Sequence, residues 1–129
     1  MMMKWKVIYY STPDDKSEVF DFIESLLENN QVKVLSFIQI LSENGPNLPR
    51  PYADLLIDGI HELRIKLSGN QIRILYFFCY KEFIILTNSF VKTTDKVPIK
   101  EINKSKKIRD EFINRFSEEQ LRKKYNEDI

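Results

Sequence analysis

Basic side chains in the strand-forming part of the sequence are the residues best suited to chemistry. Alternation along residues 60–67 places Glu62, Arg64 and Lys66 on one side of a strand. Arg73 opens the next apolar segment, and Lys92 follows the last one. Arg offers a planar fork of donors and Lys a point charge, so Arg64, Lys66, Arg73 and Lys92 on one sheet surface would suit a phosphodiester. The sequence therefore predicts a phosphate-binding surface.

Each of these residues also has an ordinary structural role. Arg64 and Lys66 would fit equally well on a solvated strand face. Arg73 would need either Glu62 or an external anion as its partner, because a buried unpaired guanidinium is costly. His61 shares its side of the strand with leucine and isoleucine, which favours a half-buried histidine. On the residues alone, these alternatives stay open.

Several other chemistries lack the residues that they need. The sequence has one cysteine, Cys79, and one histidine, too few for a disulfide or for a Cys/His metal site. It has no Gly-rich phosphate loop and no nucleophile elbow. We therefore expect no metal and no small-molecule cofactor.

Hydrophobic periodicity in the first third of the chain predicts a strand and two helices. Aromatic and β-branched residues predict a strand over residues 4–10. A helix is predicted over residues 13–29, with Thr12 as its N-cap and Pro13 at its first position. A second amphipathic helix is predicted over residues 31–43.

The rest of the chain predicts a β-meander and a helical end. Three β-rich segments joined by short turns cover residues 60–67, 72–79 and 83–91. Beyond Pro98 the pattern becomes helical, and Ser117 begins a capping box for a short helical extension over residues 117–129.

Together these elements predict an α+β fold in the order β-α-α-β-β-β-α. A small antiparallel sheet of about four strands would carry the first strand at one edge and the helical hairpin on one face. The 129 residues suit a single domain, residues 1–129. The open face of the sheet would then carry the function.

Charge is distributed unevenly along the chain. Residues 1–60 contain 5 Lys and Arg against 9 Asp and Glu, a sum of −4, whereas residues 61–129 contain 15 against 10, a sum of +5. This asymmetry suggests an acidic partner for one surface. The sequence contains no apolar run of about 18 residues, which predicts a protein without a membrane segment. Its single cysteine favours the cytoplasm.

Three sequence blocks carry a resemblance to a known family. They are Asp-Gly-Ile-His-Glu-Leu-Arg at 58–64, Arg-Ile-Leu-Tyr-Phe-Phe at 73–78 and Phe-Val-Lys-Thr-Thr-Asp-Lys-Val-Pro at 90–98. Over residues 5–110 the sequence resembles the phage-derived HigB-like toxins of the RelE/ParE superfamily. The fold of that family, a small antiparallel sheet with two N-terminal helices, agrees with the predicted order of elements.

The resemblance implies the toxin of a type II toxin–antitoxin pair, an endoribonuclease that cleaves mRNA in the ribosomal A site without a metal and so inhibits translation. In that chemistry the ribose 2′-OH attacks the adjacent phosphate, whose developing charge must be neutralised. By position, Arg73 and Lys92 would hold the phosphate and Lys66 would contact the 2′-OH. Arg64 matches another basic strand residue, and His61 would carry a proton.

The same superfamily leaves two other functions open. ParE-like members inhibit DNA gyrase, and a third interpretation is a catalytically inactive module that only binds an antitoxin. This sequence has Thr93 where the family usually has a second lysine, and His61 where an aromatic residue is common. The partners implied by the resemblance are a helix-turn-helix antitoxin, the ribosome and mRNA.

Overall fold

A computed structural model describes residues 4–126 of the chain. Its strands are β1 (Lys6–Tyr9), β2 (Ala53–Ile57), β3 (Ile60–Leu67), β4 (Asn70–Cys79) and β5 (Phe83–Lys92). Its helices are α1 (Glu18–Glu24), α2 (Glu28–Asn44), α3 (Ile99–Arg115) and α4 (Glu118–Asn126), and a short 3-10 turn, Gly45–Asn47, follows α2.

The strands form one five-stranded sheet in the order β1-β5-β4-β3-β2. Strands β2 to β5 form an antiparallel meander, and β1 pairs with β5 in the parallel direction at one edge. The α+β class and the position of β1 at an edge are confirmed. The predicted antiparallel sheet of about four strands is corrected in two respects, because β1 pairs in the parallel direction and β2 adds a fifth strand.

Strand β2 was not predicted, since the proline-rich segment before it suggested a continuing connector. It pairs with β3 through a two-residue turn, Asp58-Gly59, in which both residues have positive φ angles of 54° and 81°. A turn with two left-handed residues matches the twist of the flanking strands, and Asp-Gly is a preferred pair for it. Asp58-Gly59 therefore reverses the direction of the chain, which allows residues 53–57 to pair with β3 as strand β2.

The predicted start of the first helix is also wrong. Residues 12–16 form a turn, in which Thr12 Oγ1 accepts a hydrogen bond of 3.1 Å from Lys16 N. Asp15 has a φ of 63°, a left-handed conformation that does not continue a right-handed helix. The N-cap is Ser17 instead, whose side chain accepts from Phe20 N at 3.3 Å. Helix α1 therefore covers only the middle of the predicted range 13–29.

Two hydrophobic cores lie on opposite faces of the sheet. Helices α1 and α2 pack on one face, where Val19, Val34 and Leu41 contact strand residues such as Leu63 and Ile74. Helices α3 and α4 pack on the other face through residues that include Phe112 and Leu121. The second face is therefore only partly open, since α3 and α4 cover the half that contains the start of β3 and the end of β4.

The last helix begins as predicted. Ser117 Oγ accepts from Gln120 N at 3.1 Å, and Gln120 Oε1 accepts from Ser117 N at 2.8 Å, which makes a reciprocal capping box. Of the predicted extension over 117–129, the last three residues lie outside the described part of the chain. Within residues 4–126, no helix has the length and apolar character needed to cross a membrane.

Candidate functional site

Strand pairing brings the four predicted cations onto one face of the sheet. Arg64 lies directly opposite Arg73, and Gln71 lies between Lys66 on β3 and Lys92 on β5. Directly paired residues share a face, and so do residues two apart on one strand. Arg64, Lys66, Arg73 and Lys92, together called the cationic face, thus occupy three neighbouring strands on the side where α3 packs.

A β-bulge in β5 puts Lys92 on this face. Opposite β4, Tyr76 pairs with Leu86 while Leu75 pairs with Asn88, so Thr87 is an extra residue on β5. Before the bulge, even-numbered residues of β5 face α1 and α2; after it, they face α3. Without the extra residue, simple alternation would turn Lys92 to the other side of the sheet.

Hydrogen bonds from α3 hold the bulge in place. Thr87 Oγ1 lies 2.6 Å from Ser105 Oγ, and Asn88 Nδ2 donates to Glu101 Oε1 at 3.0 Å. Thr87 Oγ1 also donates to Leu75 O at 3.1 Å. Both side chains at the bulge therefore point toward α3, which ties the direction of the end of β5 to the packing of that helix.

Arg73 is held by a buried carboxylate. Arg73 and Glu62 are only 4% and 3% exposed, and Arg73 Nε lies 2.9 Å from Glu62 Oε1. Neither of those two atoms has a hydrogen bond of good geometry within the described residues. Arg73 Nη1 donates to Ile72 O at 3.1 Å and to Gln71 Oε1 at 3.3 Å. Of the two partners that the sequence left open for Arg73, the structure therefore contains Glu62.

Charge near Glu62 remains positive. Glu62 Oε2 also lies 3.5 Å from Arg64 Nε, so one carboxylate serves two guanidinium groups. The four cations of the cationic face against Glu62 give a sum of +3. Burial lowers the pKa of Arg73, and the Glu62 carboxylate partly opposes that effect. Arg nevertheless stays protonated near neutral pH, so the face keeps its charge.

The exposed part of the cationic face borders two depressions. A groove of about 400 Å³ is lined by Tyr52, Arg64, Lys66, Gln71 and Arg73 among others. A cleft of about 540 Å³, between β2, β3 and the first turn of α3, also includes Arg64 together with Lys92. Arg64 belongs to both depressions, so a bound chain could follow the face from one to the other.

His61 lies on the opposite face of the sheet. Its ring stacks on Tyr76 at a centroid distance of 5.3 Å and meets the edge of Phe78 at 5.0 Å. Burial lowers the pKa of His61, while the Asp54 carboxylate opposes that shift. The structure therefore brings Arg64, Lys66, Arg73 and Lys92 together but separates His61 from them by the sheet.

A comparison with family models identifies the family of this chain. A model of the family described as phage-derived protein Gp49-like (DUF891) matches residues 21–110. The chain belongs to the Gp49-like family. This family is RelE-like and toxin-like, and the matched range contains all four residues of the cationic face. No curated protein sequence matches the chain.

Two features of the Gp49-like site were not predicted. Gln71 is exposed between Lys66 and Lys92, and the alternation of β4 from Arg73 would have identified its face. The bulge at Thr87 has no comparable sequence signal.

Within residues 4–126, no group of three or more His, Cys, Asp or Glu side chains is arranged to hold a metal ion.

Proposed function

We propose that this Gp49-like protein is a HigB-like toxin of a type II toxin–antitoxin system, which cuts mRNA on the ribosome and so stops translation. The observation that carries the proposal is the convergence of Arg64, Lys66, Arg73 and Lys92 on one sheet face. Membership of a toxin-like family supports it independently. In cells the toxin would be held inactive by an antitoxin, for which a helix-turn-helix protein is the expected class.

The proposed chemistry is attack of a ribose 2′-OH on the adjacent phosphorus, which breaks the bond to the 5′-oxygen. The products are a 2′,3′-cyclic phosphate and a 5′-OH, so the proton lost by the 2′-OH is balanced by the one that the 5′-oxygen gains. Lys92 and Arg73 would stabilise the negative charge that develops on the phosphate oxygens, since donors fixed before the reaction need no reorganisation. Lys66, which is exposed on β3, would contact the 2′-OH. Glu62 would act as a positioning residue, because its carboxylate fixes the direction of the Arg73 guanidinium.

His61 has no role in the proposed reaction. A proton carrier must come within hydrogen-bonding distance of the atom that it serves, directly or through one water. The His61 ring packs against Tyr76 and Phe78, on the face of the sheet that α1 and α2 cover and away from the cationic face. The sheet lies between His61 and the proposed scissile phosphate.

The ion pair between Arg73 and Glu62 favours a second candidate function. A guanidinium that is 4% exposed and already paired has a complete structural role. It is therefore compatible with a catalytically inactive module that only binds an antitoxin. The two candidates differ in what the exposed lysines do, because only a nuclease requires Lys66 and Lys92 for toxicity.

The deciding experiment is induced expression in bacteria with mapping of mRNA 5′ ends. Lys66→Gln and Lys92→Gln remove charge from partly exposed positions, and Lys81→Gln, in the turn at the other end of β4, is the matched control. Losing a group that stabilises transition-state charge reduces turnover about 10²–10³-fold. We expect cut transcripts with wild type and Lys81→Gln, and far fewer with the two site variants.

Other outcomes would refute the proposal in distinguishable ways. Full growth on induction of the wild type would indicate the inactive module. Arrested growth with intact transcripts and DNA breaks would indicate a gyrase inhibitor. Cleavage that persists in both Lys66→Gln and Lys92→Gln would show that the cationic face is not the nuclease site. Cleavage of free RNA by the purified protein would remove the dependence on the ribosome.

A further inference from the structure

The cleft of about 540 Å³ beside the cationic face contains apolar residues that have no role in the proposed RNA chemistry. Its apolar residues are all aliphatic: Leu56, Ile57, Val97, Ile99 and Ile102. Two of them are unusually exposed, Ile57 at 53% and Ile99 at 73%. Exposed aliphatic residues gathered around one concave site are typical of a binding surface.

Positive charge surrounds these aliphatic walls. Arg64, Lys92 and Lys96 line the cleft, and Glu62 and Asp95 are the carboxylates among its lining residues. Glu62 is shared by Arg64 and the buried Arg73, and within residues 4–126 Asp95 forms no ion pair with the lysines of the cleft. The cleft therefore attracts carboxylates around an apolar centre.

The first turn of α3 forms one wall of the cleft and adds to this preference. Pro98, the N-cap of α3, makes no side-chain capping bond, and the helix begins at Ile99. Backbone N–H groups at an uncapped start attract negative charge, as does the positive end of the helix dipole. An acidic side chain from a partner that buries Ile99 would lie close to these groups.

We propose that this cleft docks an aliphatic, carboxylate-rich segment of a partner protein. A nucleobase is a poorer fit, because stacking needs aromatic or guanidinium planes, and among the lining residues only Arg64 offers one, beside five aliphatic side chains. Docking follows from the cleft alone. Its regulatory consequence rests on the proposed function, since the segment would occupy Arg64 and Lys92 and so exclude RNA from the cationic face.

The test selects peptides from a random 12-residue display library on the full chain. We expect enrichment of sequences that combine Asp or Glu with Leu, Ile or Val. Fluorescence anisotropy then measures the affinity of one labelled enriched peptide for Ile99→Ser and Lys96→Glu, two exposed positions. Each variant should bind about tenfold more weakly or worse, as expected from losing one buried aliphatic side chain or reversing one charge.

The control is Leu27→Ser, which alters a residue that is 74% exposed between α1 and α2. Its affinity for the peptide should equal that of the wild type. No enrichment, enrichment of basic or aromatic peptides, or equal binding by all variants would overturn the proposal. Self-association of the wild type that is abolished by Ile99→Ser would identify a second copy as the occupant and overturn it too.

A second probe separates this proposal from the proposed function. A labelled eight-nucleotide single-stranded RNA should lose affinity with Lys66→Gln but not with Ile99→Ser. If Ile99→Ser weakens RNA and peptide binding equally, the cleft holds nucleic acid and the docking proposal is wrong. If the peptide binds as expected to a protein that cuts no mRNA, docking is supported and the nuclease proposal alone is refuted.

Discussion

Replacing Arg73 with methionine tests whether its ion pair with Glu62 is required for folding. Glu62 is 3% exposed, and the substitution removes the cation that lies 2.9 Å from its carboxylate. Removing one partner of a buried ion pair costs about 3–5 kcal/mol, because the remaining charge is buried without compensation. A small domain is stable by about 5–15 kcal/mol in total. We therefore expect Arg73→Met to lower the free energy of unfolding by about 3 kcal/mol or more.

Two further variants isolate the cause of that loss. Glu62→Leu combined with Arg73→Met should recover most of the stability, since replacing both partners by apolar residues is often nearly neutral. Arg64→Met is the matched control. Arg64 lies 3.5 Å from the same carboxylate, but its side chain is 32% exposed, so its pairing is screened by solvent. We expect this control to cost no more than about 1 kcal/mol.

Urea denaturation followed by far-UV circular dichroism at pH 7 gives the free energy of unfolding of each variant. A loss of less than about 1 kcal/mol in Arg73→Met would contradict the reasoning, and so would a double variant no more stable than the single one. The result also affects functional tests. If Arg73→Met is as unstable as expected, its loss of nuclease activity has to be corrected for the folded fraction.

Three other substitutions test features of the fold. Burial lowers the folded-state pKa of His61, so below about pH 6.5 the unfolded chain binds a proton that the folded chain does not, and stability falls as the pH falls. The melting temperature of the wild type should therefore decrease between pH 7 and 5 more than that of His61→Phe. Thr87→Val leaves Ser105 Oγ without its 2.6 Å partner and should cost about 1–3 kcal/mol in urea denaturation; an unchanged midpoint would contradict this. In Gly45→Ala the new Cβ would overlap the Trp5 indole ring, at a φ of 53°, so we expect the free energy of unfolding to fall by about 1–3 kcal/mol in urea denaturation. An unchanged value would show that Trp5 moves freely.

Much of the sheet could be predicted from local patterns. The three strands of the meander have apolar segments separated by short turns, and the alternation of β3 correctly placed Arg64 and Lys66 on one face and His61 on the other. Strand β2 was predictable in principle from Asp58-Gly59, a turn-forming pair next to aliphatic residues. The prolines upstream suggested a longer connector than the structure has.

Other features depend on contacts that sequence patterns do not contain. Thr12 and Ser17 are both good N-caps, and the choice of Ser17 follows from the packing of Val19 in the core. The face reached by Lys92 depends on one extra residue at Thr87, which is fixed by α3, distant in sequence. A bulge of this kind is set by tertiary contacts and reverses every side chain after it.

The buried ion pair changes which residues can respond to a ligand. Arg73 is held by Glu62 and covered, so charge that must meet an incoming anion comes first from Lys66, Lys92 and Arg64. Arg64 and Lys92 also line the aliphatic cleft, whereas Lys66 lines only the groove, which borders the cleft at Arg64. RNA that runs along the cationic face and a peptide in the cleft would therefore compete for Arg64 and Lys92. Suppose that a peptide displaces RNA and yet keeps its affinity when Arg64 or Lys92 is substituted. Such a peptide would have to bind elsewhere on the molecule.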